Sequence, residues 1–437
     1  MNATSVSRRG LRTLAQDSAA KGFLLELLCS LALFAIFQVV YVSIEYPIFS
    51  YVGYTLNVNG SDVLLGWLIY LAAFLGIYSQ KDSMSNIFLY VYLYLSVAPC
   101  IVIYMYADTA LWMVAYQLLF LLLIRVMVLV LDTVCHRRVV FSKKRLELAS
   151  SKLLWLAVLA FFAFMLLQNG LPNISDILFE NVSEVRANYE ASLVIVLLQN
   201  LMCKILIPLM ISAAFEKKKW GLFALACIVQ VYIYSVTGFK TFLLIPVLII
   251  GTKFLRTKSF KRLIVWGLPL AMGGALVLFL LIRNNMFAAI VFNRLVFLPA
   301  KIKECYFDFF SQNDFVYFTQ SSLASIFGIE SNYQRDVVFL IGEKYFNSPD
   351  MWTNCGFLAD AYANWGMMGG FLMSLLLAFE LHLLNNAVHT PAKNYATAIF
   401  LIFFIGLNDG GLISVSVSGG FLLAILLIYV TRAGEYE

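Results

Sequence analysis

The residues best suited to chemistry in this chain are basic and lie between apolar runs. Arg186 sits in Val185-Arg-Ala-Asn-Tyr-Glu190, and Lys240 sits in the tight turn Thr237-Gly-Phe-Lys-Thr241. Arg283 ends an apolar run, and Arg294 and Arg335 follow in a long aromatic-rich segment. A guanidinium grips phosphate oxygens through a planar fork, whereas an ammonium binds them as a point charge. As a set, the five suit an anionic ligand at a membrane surface, such as a lipid-linked phosphate or pyrophosphate. Singly, each could instead meet a lipid headgroup or pair with a nearby Asp or Glu.

The elements that hold these residues follow from composition. Of 437 residues, 62% are hydrophobic and only 13% are charged, and the mean hydropathy is +0.84. Soluble domains carry about 25% charged residues, so an ordinary soluble fold is excluded. Apolar stretches of about 20 residues recur, each long enough to cross a bilayer as a helix, and the alternation of a β-barrel is absent. The expected fold is all-α and polytopic, with about twelve spans. They fall at 23–44, 63–79, 87–106, 110–131, 153–168, 192–215, 220–236, 241–255, 263–282, 367–388, 395–408 and 416–431. The organisation is then a cytoplasmic tail (1–22), nine spans (23–282), one long extracytoplasmic loop (283–366), three spans (367–431) and a second tail (432–437).

Orientation rests on charge. With the N-terminus inside, most of the 31 Lys and Arg fall in cytoplasmic segments, as the positive-inside tendency requires. The net charge of +6 is spent on topology in short loops, which gives no reason to expect nucleic acid. The five basic residues named above oppose this bias, which is why they stand out. The cytoplasmic side has no P-loop, no dinucleotide fingerprint and no soluble domain, so any chemistry faces outside. The seven Cys show no metal-ligand spacing. No metal and no cofactor are expected. Cys305 and Cys355 share the long loop and could form a disulfide.

Two outside stretches read as amphipathic. One lies within 169–191; the other surrounds Ile302, Tyr306, Phe309 and Phe310. The long loop is rich in aromatics and is expected to fold down on the spans. Lys204 and Glu380 lie within spans, where charges are functional candidates by default; a buried Lys204–Glu380 pair is the plainer reading.

The turn Thr237-Gly-Phe-Lys-Thr241 and the closing stretch Asn354-Cys-Gly-Phe-Leu-Ala-Asp-Ala-Tyr-Ala-Asn-Trp-Gly-Met-Met-Gly369 combine with this topology into a recognisable whole. The chain resembles the Wzy-type O-antigen and capsule repeat-unit polymerases over nearly its whole length in architecture. Lys240 stands where that family carries Arg, and Arg186 and Arg294 match positions where it carries Arg. The Gly366-to-Gly369 spacing would allow close helix packing. The resemblance implies an enzyme of the bacterial inner membrane with its site facing the periplasm or exterior. Its substrates would be undecaprenyl-pyrophosphate-linked glycans, with membrane lipids and a chain-length regulator protein as partners. A hydroxyl of one unit would attack the anomeric carbon of another and expel undecaprenyl pyrophosphate. Basic residues (Arg186, Lys240, Arg283, Arg294, Arg335) would stabilise the leaving group, and a carboxylate would act as base. Asp336, beside Arg335, and Asp360, in the closing stretch, are the candidate bases; a salt bridge and a helix cap are their plainer roles. The alternatives are an O-antigen ligase, disfavoured because no His lies in an outside segment, and a flippase or transporter, disfavoured by the long folded loop and the lack of repeats.

Overall fold

The computed structural model describes residues 3–135, 151–171, 189, 191–254, 259–321, 324, 327–388 and 397–431. Helices account for its regular structure, and no strand occurs among the described residues. The protein is an all-α polytopic membrane protein. Among the described residues, ten helices are long and apolar enough to cross a membrane. We number the main helices in chain order: α1 (apolar part Ala19–Val52), α2 (Gly60–Ile77), α3 (Met84–Tyr106), α4 (Leu111–Val134), α5 (Lys152–Asn169), α6 (Val194–Glu216), α7 (Trp220–Thr237), α8 (Lys240–Phe254), α9 (Phe260–Ile282), α10 (Asn285–Phe310), α11 (Val337–Phe346), α12 (Phe357–Ala387), α13 (Thr397–Asp409) and α14 (Phe421–Thr431). Ser83 and Ser259 cap α3 and α9 by accepting backbone N–H bonds, which fixes where each helix starts.

All but one of the ten coincide with spans expected from sequence. The exception is α10, which falls in the expected loop. Its polar contacts lie toward one end of its neighbours, while Phe297 packs on Phe37 within α1 and Phe292 on Phe279 of α9. Asn293 bonds Glu45 and Tyr54, Lys301 lies against Gly53, Thr109 bonds Glu304, and Phe307 packs on Trp112 and Tyr116. These partners lie at the C-terminal end of α1, in the α3–α4 turn and at the start of α4. α10 has the length and composition of a span, and its polar contacts lie toward one end of α1, α3 and α4.

The chain forms two compact units. The first holds residues 1–130, 259–378 and 408–411, so the segment 283–366 packs with α1 to α4 and α9. Its core is aromatic, and every residue of α3 from Met84 to Met105 is buried. Lys261 and Glu26 form a buried ion pair at 2.8 Å, and Asp82 accepts from the backbone N–H groups of Phe260 and Lys261. The second unit holds residues 131–258, 379–407 and 412–437. Here the buried Gln230 amide donates to the carbonyls of Cys203 and Phe242, tying α7 to α6 and α8. His382 meets Asp132 at 2.6 Å.

α12 is not one straight helix. Trp365 (φ −147°) and Gly366 (φ +55°, ψ −133°) leave helical geometry. The helix folds back so tightly that a Cβ on Gly369 would lie 2.0 Å from the carbonyl oxygen of Ala361. The first arm is buried, with Phe357, Ala359 and Ala361 fully enclosed. The Phe357 ring lies 5.0 Å from Tyr92 and 6.4 Å from Phe88, well inside α3. The chain after α11 therefore descends into unit 1, rises as a short helix, and turns at Trp365–Gly366 before the long arm. Irregular backbone at such depth is tolerated only when enclosed by protein or lining a polar cavity. The glycines expected to form a helix–helix seam thus serve a turn. Only Gly366 reaches positive φ without the strain that a Cβ imposes.

The expected twelfth span also differs. Gly419 and Gly420 (φ +91°) interrupt it, so regular helix begins at Phe421 and runs 11 residues.

Candidate functional site

The descent before α12 brings four polar side chains of unit 1 together. Lys303, on α10, is buried, and its Nζ donates to Oδ1 of the buried Asn408 at 2.5 Å. Asp409 is near enough to Lys303 to interact through its charge. Gly356 admits the lysine: a Cβ there would lie 2.7 Å from Lys303 Cε and 2.5 Å from the Asn408 carbonyl oxygen. Asp360 lies one turn further on, in the first turn of α12, where the helix dipole favours a negative charge. Its carboxylate rests on Gly411, with a Cβ at that glycine only 2.4 Å from Oδ2.

Access divides these groups. Asp360 is half-buried and Asp409 exposed, whereas Lys303 and Asn408 are enclosed. The Asp360 carboxyl group is packed against Gly411, with the Lys303 ammonium and Asn408 enclosed close by. The Tyr306 hydroxyl donates to the Thr353 carbonyl at 3.0 Å and so pins the descending strand of chain. Burial, with Asp360 nearby, pushes the Cys355 thiol well above its usual value, so it stays a neutral thiol. Cys305 and Cys355 are both free, without the disulfide that their shared loop allowed. At the rim, the Tyr345 hydroxyl donates to Asp308 at 2.6 Å, and burial reinforced by that carboxylate raises its pKa.

The arginines expected to act together occupy separate settings. Arg283 is exposed and takes the left-handed conformation that ends α9. Arg294 is exposed on α10 beside the buried Asn293. Arg335 is engaged within its own segment: it pairs with Glu343 at 3.0 Å, donates to the Pro349 carbonyl at 2.6 Å and stacks on Phe339. Its ion pair is thus with Glu343 and not with the adjacent Asp336. Asp336 is exposed at the start of α11 and makes no side-chain cap bond. No hydrogen bond or ion pair joins Asp360 to Arg283, Arg294 or Arg335 among the described residues. Lys240 begins α8, but its side chain lies outside the described residues, as do Arg186 and most of the amphipathic stretch expected within 169–191.

Of the expected residues, Asp360 alone falls in the buried cluster. Lys303, Asn408, Asp409 and Gly411 were not among them. A signal for Lys303 exists in the sequence. It stands three, four and seven residues before Tyr306, Phe307 and Phe310, on the aromatic face of an amphipathic helix where a cation needs a reason to be. Asn408-Asp-Gly-Gly411 likewise ends an apolar run with polar and flexible residues.

A half-buried carboxylate on a short helical arm, near a buried ammonium, can accept a proton from a hydroxyl and can hydrogen-bond a polyol that reaches it. A scan of family models, a search of curated proteins and a search of solved structures each return no match to this chain.

Proposed function

We propose that this protein is a membrane glycosyltransferase that polymerises undecaprenyl-pyrophosphate-linked repeat units into a bacterial surface polysaccharide, lipopolysaccharide O-antigen or capsule, on the outer side of the inner membrane. The observation that carries the reading is the half-buried Asp360 on the broken helix α12, grouped with the Lys303–Asn408 pair. In this reading the Asp360 carboxylate takes the proton of an acceptor hydroxyl. The hydroxyl oxygen forms a bond to the anomeric carbon of the donor. The bond from that carbon to the pyrophosphate oxygen breaks, and the electron pair leaves with undecaprenyl pyrophosphate. Arg294 and Arg283, exposed along the segment that covers this end of unit 1, suit the charge that develops on the leaving group. Arg186 and Lys240 are proposed for the same ligand on sequence grounds. Asp360 is preferred to Asp336 as the base, because Asp336 is exposed on α11 away from the cluster. The reaction uses neither nucleotide nor metal, in keeping with the short cytoplasmic loops.

Deleting the gene and resolving surface polysaccharide on a gel tests this. Loss of a polymerase leaves chains of one repeat unit on the surface. Loss of a ligase or a flippase leaves none, and an unchanged ladder would reject the proposal.

A further inference from the structure

Glu380 has no part in that reaction. It lies on the long arm of α12, within unit 2, and is fully buried. Ser416 Oγ and Glu380 Oε2 are hydrogen-bonded at 2.9 Å, while Oε1 has no partner among the described residues. Lys204, the partner expected from sequence, makes no ion pair with it among the described residues. Neither protonation state is content with these contacts. An ionised carboxylate would be a buried charge without compensation. A neutral acid could donate to Ser416, but Oε1 would remain an acceptor without a donor.

Ser416 is the centre of Ser414–Ser418, five residues wound as a π-helix. Gly419 and the left-handed Gly420 follow, and regular helix resumes at Phe421. The backbone thus leaves α-helical pairing beside the carboxylate, with the Gly419 N–H donating to the Ser414 carbonyl at 2.6 Å. Two of the affected carbonyls find side-chain donors: Asn200 Nδ2 reaches the Ser418 oxygen at 3.2 Å, and Ser418 Oγ reaches the Ser414 oxygen at 2.8 Å. Interrupted helices inside a membrane bundle are where backbone oxygens become ion ligands. The oxygens that meet here are those of a carboxylate and a hydroxyl, on a segment whose backbone departs from α-helical pairing. All are hard donors, and together they carry one negative charge, which matches one small, hard, singly charged cation. We infer that Glu380, Ser416 and the interrupted segment 414–420 form a binding site for a sodium ion.

The test uses the purified full chain in lipid nanodiscs. Thermal unfolding is followed in sodium, potassium and N-methyl-D-glucamine chlorides at equal ionic strength. A cation bound only by the folded state raises the melting temperature in a saturable way. The expected result is a rise with sodium that the other two salts do not reproduce. Glu380→Gln, which keeps the volume and can still bond Ser416, should abolish that rise. Ser416→Ala should increase the half-saturating sodium concentration about tenfold. Equal melting in the three salts, or a sodium response that survives Glu380→Gln, overturns the site. Should Glu380→Gln fail to assemble, Ser416→Ala decides alone, and an unchanged sodium midpoint overturns it equally. None of these readouts depends on polysaccharide synthesis.

Discussion

At the scale of single residues, the close approach of Gly411 to Asp360 gives the sharpest test of the site. A methyl at residue 411 would fall 2.4 Å from the carboxylate oxygen, and the atom that must yield is the end of a side chain. Gly411→Ala should therefore move Asp360 while leaving the protein in the membrane at its normal level. Chains on a polysaccharide gel should shorten as they do in Asp360→Asn; normal chains from both variants would remove Asp360 from the reaction. Arg294 is exposed, so its substitution should leave the fold intact. Arg294→Ala should cost the contact to pyrophosphate about 1.5–3 kcal/mol, or roughly ten- to hundredfold in rate. Arg294→Lys keeps the charge but loses the fork, so it should also be impaired if the ligand is gripped at two oxygens. A headgroup or topological role would tolerate Lys, and chain length at matched protein level separates the two. Thiol labelling checks the interior independently. At about pH 8, near the unperturbed thiol value, the raised pKa and burial of Cys355 should keep it unlabelled in the native protein, while the exposed Cys135 reacts. Ready labelling of Cys355 would mean that the descending segment opens to water.

Elements show where sequence reasoning reached and where it stopped. Apolar length placed α1 to α7, α9 and the long arm of α12 within a few residues, because one number, the bilayer thickness, decides them. The same criterion also selects α10, inside the expected loop. Its hydropathy and length are those of a span, while its polar partners lie toward one end of α1, α3 and α4. The break at Trp365–Gly366 was equally hidden, since a pair of glycines three apart suits a packing seam as well as a turn. Lys303 was missed for a related reason: its partner Asn408 is 105 positions away, and spacing within one helix cannot announce such a pair. Both elements can be tested. Met286 and Ser311 flank α10 and are exposed. Cysteines placed at these two sites should react with an impermeant reagent from the same side of the membrane; labelling from opposite sides would make α10 a span. Gly366→Ala should destabilise by about 1–3 kcal/mol, because its backbone lies in a region open almost only to glycine, and the new methyl would meet Phe315 at 2.8 Å. Thermal unfolding of the purified variant measures that cost.

For the molecule as a whole, the placement of α10 decides the sidedness of everything after it. A membrane chain changes side with each crossing, so one helix more or less before Val337 exchanges the two faces for α11, α12 and all that follows. If α10 lies across one end, nine crossings precede it. Asp336, Arg335 and the turn at Trp365–Gly366 then share the outer side with Arg283 and Arg294, as a site for a lipid-linked donor outside the membrane requires. If α10 crosses, Arg335 and the α12 turn face the cytoplasm, Arg283 stays outside, and the proposed site is divided by the bilayer. Charge favours the first arrangement. The basic stretches Arg137 to Arg145 and Lys253 to Arg262 fall inside, together with Lys393 and Arg432 beyond α12. The second arrangement would export Lys393 and Arg432 against that tendency. Fusions of a reporter that is active only after export should therefore be silent after Arg145, Thr257 and Lys393, and active after Asn347. A silent Asn347 fusion together with an active Lys393 fusion would turn the C-terminal third of the chain over, and the polymerase reading would fail with it.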